Sequence, residues 1–406
     1  MMVTTAKPGA LSDIAARVEC GGRLTLDDGV LLFASRDIHE IGRLANVVRS
    51  RMHGDAAYYN VNRHINYSNF CVLRCKFCSF YRPYPKSGVE PVADQSHDSQ
   101  GSIPLPLHES GESDAYELSV EQIADLARRA AEIGATEVHI VGGLHPTLPF
   151  SYYTDMCRAI RRVCPKIHIK AFTAIEIIHF TRISKPKLSI RQALEQLRDA
   201  GLNSLPGGGA EIFDDRVHEE AYRTKVGEQG WFDVHRAAHE LGIPSNATML
   251  YGHVETCEGR VRHMLKVRQH QDESLRSRKA AFNCFIPLSF IPDGSEFAHL
   301  PGPTGLDDLK TLAISRLMLD NVPHIKAFWI MQSAKLAQVS LNWGVDDVDG
   351  TVVNYDITKR EGGPGRRHQE MTVEQLRRLI LEAGRRPVER DTLYRPVAER
   401  GAESNR

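Results

Sequence analysis

Val61-Asn62-Arg63-His64-Ile65-Asn66-Tyr67 is a β-like run, and it leads directly into Cys71-Val72-Leu73-Arg74-Cys75-Lys76-Phe77-Cys78. Seven further runs of the same character follow it along the chain. They are Glu137–Val141, Ile167–Phe172, Leu202–Leu205, Pro244–Leu250, Ala281–Leu288, His324–Ile330 and Gly350–Val353. Helical patterns separate most of them. Ser119 and Ser189 each stand three residues before a glutamine, Gln122 and Gln192, the arrangement of a capping box. Gly134 and Gly201 suit the ends of the helices so begun. Tyr152–Val163, Trp231–Leu241 and Leu306–Leu319 fill other gaps.

Strand and helix in alternation predict a parallel sheet covered by helices, and eight strands close it as an α/β fold of the (βα)8 TIM-like type. In such a barrel the active site lies at the C-terminal ends of the strands. An open or partial barrel is the second reading, because strands four and eight carry the weakest patterns. The predicted organisation is an N-terminal helical segment over 1–56, a barrel over 57–383 and a flexible C-terminal tail over 384–406. A Pro-rich stretch, 82–118, breaks the rhythm after the first strand and is expected to be a mobile insertion.

Composition narrows the class. The chain has 406 residues, with 51 basic and 51 acidic side chains and 42% hydrophobic residues. That is a soluble globular balance with enough apolar content for a core. Zero formal charge gives no general electrostatic reason to bind nucleic acid or an anionic membrane. No apolar run approaches the roughly 20 residues that span a bilayer, and the first residues lack the apolar core of a secretory signal. A cytoplasmic protein with reduced thiols is the expectation, with no nucleic-acid or membrane partner.

Three of the eight cysteines fall in the spacing C-x3-C-x2-C. Three thiolates in so short a loop can converge on one metal centre. A [4Fe–4S] cluster ordinarily takes four cysteines, so three leave one iron with open coordination, able to bind a substrate. A structural zinc site is the competing reading and would need a fourth ligand. Cys157 and Cys284 read as small core residues, and Cys20, Cys164 and Cys257 show no partner spacing.

With Phe77 as the aromatic before its last cysteine, the loop resembles the signature of the radical S-adenosylmethionine (SAM) superfamily. The resemblance implies that Cys71, Cys75 and Cys78 hold a [4Fe–4S] cluster whose open iron is chelated by the methionine part of SAM. It implies cofactor contacts for Phe77, for Gly142 and Gly143, and for Leu250 and Gly252 in Thr248-Met-Leu250-Tyr-Gly252-His-Val-Glu255. Thr248 departs there from the glycine of the family pattern. Glu176 and Glu211, which follow strands three and four, are candidates for the SAM ribose or amino group, though either could cap a helix.

Further runs extend the resemblance over about residues 40 to 355. They include Gly142-Gly143-Leu-His145-Pro, His168-Ile-Lys170-Ala-Phe-Thr173-Ala-Ile-Glu176, Pro206-Gly-Gly-Gly-Ala-Glu211 and His324-Ile-Lys-Ala-Phe-Trp329. Together they resemble the aminofutalosine synthases of menaquinone biosynthesis. A related futalosine cyclase and deazaflavin-forming synthases share the Pro-Gly-Gly-Gly-Ala-Glu run. The resemblance implies a transferase that adds the 5′-deoxyadenosyl group of SAM to an aromatic enolpyruvyl ether, 3-[(1-carboxyvinyl)oxy]benzoate. The products would be 6-amino-6-deoxyfutalosine, bicarbonate and methionine, and a one-electron donor such as flavodoxin or ferredoxin would be the partner. A dicarboxylate with an aromatic ring needs cations, donors and apolar walls. The substrate-binding candidates are Arg63, His64, His145, Lys170, Thr173, His253 and Trp329. A non-catalytic iron–sulfur or zinc-binding protein is the alternative from another class.

Overall fold

A computed structural model describes residues 10–85, 115–222, 225–352, 355, 357 and 370–397. Its strands are β1 (Ala56–Asn60), β2 (Asn62–Ile65), β3 (Glu137–Ile140), β4 (His168–Ala171), β5 (Ser245–Tyr251), β6 (Phe282–Ser289), β7 (His324–Ile325), β8 (Asp347–Gly350) and β9 (Arg386–Glu389). All the paired strands run parallel, in the order β2-β3-β4 on one side and β5-β6-β7 on the other. Single bridges from Lys170 to Ser204 and from Leu205 to Ser245 supply the fourth staff. Lys326 bridges to Asp347, and β8 pairs with β1. Because β1 and β2 are consecutive parts of one extended segment, the ring closes.

The expected fold stands, with shifted details. Strand four is reduced to those two bridges, strand seven is two residues long, and strand eight lies three residues before its predicted start. Both capping boxes form. Ser119 opens the helix Val120–Glu132 and Ser189 the helix Ile190–Ala200, and each hydroxyl accepts from the glutamine backbone three residues on. Sequence reading missed the longest helix, Cys257–Ser277, whose charged residues hide its apolar stripe. Helices Ala10–Glu19, Leu26–Ala34 and Ile38–His53 precede the barrel. No helix among the described residues is long and apolar enough to cross a membrane.

Two expectations concern segments at the edges. Residues 86–114, the bulk of the insertion expected to be mobile, lie outside the described residues. Both of its ends are pinned: Phe70 bridges to Arg82, and Ser68 to Glu117. The tail expected to be flexible from 384 instead carries β9, which pairs with β1 from Ala56–Arg386 to Tyr59–Glu389. Arginine-rich composition suggested a solvated end, but Arg390 is fully buried and its Nε lies 2.7 Å from Asp347. Thr392 Oγ1 donates to Glu137 at 2.7 Å, and the Tyr394 ring stacks on His324 at 3.5 Å. Residues 386–397 therefore close the N-terminal floor of the barrel, and 398–406 lie outside the described residues.

This floor generates a test. Arg390→Met leaves Asp347 buried without its cation, which costs about 3–5 kcal/mol. Ser189→Ala removes one helix cap and costs about 1 kcal/mol. Urea denaturation of the two variants should separate them in that order; equal losses would mean that the floor ion pair contributes little.

Candidate active site

The barrel interior is hollow. Its lumen is a cavity of about 220 Å³ whose lining alternates along each strand, as side chains on one face of a strand must. Asn246, Thr248 and Leu250 of β5 and Ile286 and Leu288 of β6 face in, as do His64, His139 and Lys170 from β2, β3 and β4. Lys326 and Asp349 complete a polar wall, and Phe328, Met331 and Tyr355 an apolar one. A second cavity of about 200 Å³ lies beside the cysteine loop, lined by Cys71, Cys75, Cys78, Gly142, Gly143 and Glu176. The two share Phe77, Cys78, Val141, Thr173, Gly209, Glu211 and Ile357, which form a neck between them.

The cysteine loop is held by backbone hydrogen bonds at several points. Cys71 N donates to Arg82 O at 3.1 Å, Val72 N to Leu144 O at 3.0 Å and Lys76 N to Ala221 O at 3.0 Å. Gly143 must be glycine: a Cβ there would sit 2.1 Å from Phe70 O and 3.1 Å from Cys71 Cβ. Gly142 lies against the Tyr67 ring, where a Cβ would come within 2.6 Å. The Tyr67 hydroxyl in turn donates to Glu176 Oε1 at 2.8 Å.

Glu176 occupies the third position of helix Ala174–Ile183, in a capping box with Thr173. Its Oε2 accepts from Thr173 N at 2.7 Å, while Oε1 accepts from Gly142 N at 3.2 Å. It thus caps a helix and borders the second cavity at once. Burial pushes its carboxyl up to about 7, against the hydrogen bonds from Thr173, Tyr67 and Gly142. Glu211, with φ at +48°, receives Lys225 Nζ, which also lies 5.2 Å from the Phe77 ring centre. Burial works against the Lys225 charge, and Glu211 and the Cys75 sulfur more than offset it.

Burial raises all three thiols, Cys75 to about 12. Bare thiolates would be unstable here, whereas a bound metal centre supplies the positive charge that deprotonates them. Cys71, Cys75 and Cys78 are the cysteines lining the cavity among the described residues, a donor set that suits a cluster keeping one iron open. The group His53, His324 and Asp346 also brings three possible metal ligands together. There, Asp346 Oδ1 is taken by Arg316 and Oδ2 by His324 Nδ1 at 2.6 Å, so the cluster is an ion-pair network.

Other predicted site residues are placed elsewhere. Arg63 points out of the barrel, since its neighbour His64 takes the inner position; Glu370, Arg129 and Asp125 are the charges around it. His145 Nε2 lies 2.7 Å from Glu117 and its ring is wedged against Phe70 and Tyr84. His253 is tied to Leu250 O at 3.2 Å and to Glu255. Trp329 begins the short helix Trp329–Gln332, because the chain leaves the sheet after Lys326, and its Nε1 donates to Gly350 O at 2.9 Å. Gly252, with φ at +91°, packs on Pro303 and serves a turn outside both cavities. Sequence reasoning missed Tyr67, His139, Lys225, Lys326 and Asp349 as lining or supporting groups. Inward alternation along β3 and β7 was the available signal for His139 and Lys326.

Residues 65–267 match the radical SAM superfamily, and 279–401 match the CofH/MqnC C-terminal region. The chain belongs to the radical SAM superfamily. This radical SAM protein is 43% identical to aminodeoxyfutalosine synthase of Thermus thermophilus, covering 95% of this chain and 96% of that one. Against aminodeoxyfutalosine synthase of Streptomyces coelicolor it is 40% identical, covering 96% and 95%. It is 35% identical to the 5-amino-6-(D-ribitylamino)uracil–L-tyrosine 4-hydroxyphenyl transferase of Archaeoglobus fulgidus, covering 91% and 96%. Among solved structures, methylornithine synthase superposes with a TM-score of 0.64 at 17% identity, covering 92% of this chain and 97% of that one. The maturase HydG from Carboxydothermus hydrogenoformans gives 0.66 at 18%, covering 95% and 80%. These two establish the fold. Membership makes this chain a radical SAM enzyme, and the superfamily implies a [4Fe–4S] cluster and SAM, which the three-cysteine donor set fits.

Two measurements probe the site. Gly143→Ala should displace the cysteine loop, so that reconstituted protein retains clearly less iron and sulfide than wild type; equal retention would contradict the close-approach reading. Glu176 has a folded value above its ordinary 4.5, so the folded state holds its proton more tightly and loses stability as pH rises from about 4.5 to 7. Glu176→Gln should therefore flatten the stability profile in that window, measured by denaturation at several pH values.

Proposed function

We propose that this enzyme is an aminodeoxyfutalosine synthase, joining the adenosyl group of SAM to 3-[(1-carboxyvinyl)oxy]benzoate in menaquinone biosynthesis. The observation that carries this reading is the 43% identity to the Thermus thermophilus synthase over nearly the full length of both chains. Two cavities joined by a neck support it, since two substrates must meet without water. When bound at Cys71, Cys75 and Cys78, the cluster supplies the electron that cleaves SAM at its open iron.

The residues of this chain do the rest. Gly142 and Gly143 let backbone approach the methionine part of SAM, and Glu176 and Glu211 offer carboxylates beside it. Thr173, Gly209 and Phe77 line the neck where C5′ and the vinyl carbon would meet. Lys170 and the apolar wall of Leu250, Ile286 and Phe328 receive the aromatic ether. A carbon–carbon bond forms between C5′ and the vinyl CH2, and the aryl group moves from oxygen to carbon. The pyruvyl carboxylate leaves with water as bicarbonate and a proton, and the electron taken up at SAM cleavage is returned. The overall change is redox-neutral, with methionine as the remaining product. Closing the lumen from water protects the radical steps.

An external one-electron donor, flavodoxin or ferredoxin in kind, fits the half-exposed cysteine loop, and the cytoplasm fits its need for reduced thiols. The transferase relatives from archaea favour a second reading, a deazaflavin-forming activity on tyrosine. Anaerobic reconstitution, reduction and mass analysis with each substrate discriminate the two. The expected product with the enolpyruvyl ether is the adenosylated adduct. Free 5′-deoxyadenosine without adduct would overturn the assignment, and zinc without sulfide would favour a structural metal site. Cys75→Ala should abolish SAM cleavage while preserving the circular dichroism of the fold.

A further inference from the structure

His64 lines the lumen with both of its ring nitrogens buried. It is 3% exposed, and neither Nδ1 nor Nε2 has a hydrogen-bond partner among the described residues. An imidazole carries a donor and an acceptor, and burying both unsatisfied is costly unless a ligand completes them. The ring faces the cavity, stacked on His139 at 4.5 Å and 18°, with Tyr355 edge-on at 5.2 Å.

The charged groups facing it come from four staves of the barrel: Glu137 and Lys170 from β3 and β4, Lys326 after β7 and Asp349 from β8. They neutralise one another in pairs, Lys170 with Glu137 at 2.7 Å and Lys326 with Asp349 at 2.9 Å. Among the described residues, the polar wall therefore has donors but no spare positive charge for an entering dicarboxylate. The vinyl end of the ether must approach the neck, because SAM lies on its far side, so the benzoate end extends away from the neck toward this wall.

We propose that His64 receives the benzoate carboxylate of the substrate and takes up a proton as it binds. This rests on the enolpyruvyl ether being the substrate. In the free enzyme burial holds the His64 imidazole down to about 4, and a carboxylate placed against it raises that value. Between the free and bound values the complex carries one more proton than its parts. Across that window affinity falls as pH rises, and above the bound value the uptake vanishes and affinity levels off.

The test is calorimetric titration of reconstituted, unreduced holoenzyme with SAM present, in buffers of differing ionisation enthalpy. Wild type should take up roughly half to one proton at pH 6 to 7 with the ether, and none with phenyl enolpyruvyl ether, which lacks the benzoate carboxylate. His64→Gln should abolish the uptake and weaken the ether at least tenfold, with little effect on the phenyl analogue or on SAM. Proton uptake by wild type with both ligands, no uptake with either, or an equal loss for both in His64→Gln would overturn the proposal. Wild type that binds SAM but not the ether would instead overturn the substrate assignment, and the proposal with it. The wild-type comparison stands even if the variant does not fold.

Discussion

Parallel register between β2, β3 and β4 sets Asn62 beside Glu137, and then, two residues further, His64 beside His139 beside Lys170. Side chains alternate along a strand, so this single register decides which of them see the lumen. A slip of one residue would bring Arg63 and Val138 inside and send both histidines into the helical layer. The ion pair of Lys170 with Glu137, the stack of the two imidazoles and the path from wall to neck all follow from it. Nothing in the cysteine loop could compensate, because the loop only begins where β2 has already been aimed.

Electrostatic bookkeeping inside the barrel follows the same layering. The floor holds Asp347 with Arg390, and Glu137 reaches both Lys170 above and Thr392 below. Buried ion pairs of this kind add little net stability, since desolvation cancels much of their attraction. Their effect is to fix orientation: Lys170 is tethered by Glu137 and Lys326 by Asp349. Among the described residues Lys170 and Lys326 of the lumen are thus each paired locally, and Arg390, just after β9, supplies the cation of the floor.

Much of this was legible because it is periodic or closely spaced. Six of the strands, both capping boxes and the cysteine triplet depend on residues near one another in sequence. What escaped depends on distant partners. Ser204 and Leu205 make strand four by one bridge each, and no local pattern marks that. Arg390 looks like solvated tail until Asp347 is brought to it. Arg63 and His64 are indistinguishable as polar strand residues, and only the phase of the strand against the helix Val120–Glu132 tells them apart. His145, His253 and Trp329 sit near strand ends as expected, yet their polar atoms are spent on Glu117, on Leu250 and Glu255, and on Gly350.

The division of the interior gives a physical reason why some sequence runs speak of the shared chemistry and others of the substrate. Pro206–Glu211 borders the neck, where Gly207 and Gly209 allow backbone to come close: a Cβ at Gly207 would lie 2.1 Å from Asn246 O, and one at Gly209 2.5 Å from Ile175. These close approaches hold the Gly-rich run against β5 and the helix Ala174–Ile183, and so fix the shape of the neck. Lys170 and Lys326 instead line only the lumen cavity, away from the cysteine loop. Enzymes that share the neck and differ in the aromatic compound they accept are therefore expected to diverge at the wall first. The constraint is steric at one end of the lumen and electrostatic at the other, and the chain meets both with strands of one barrel.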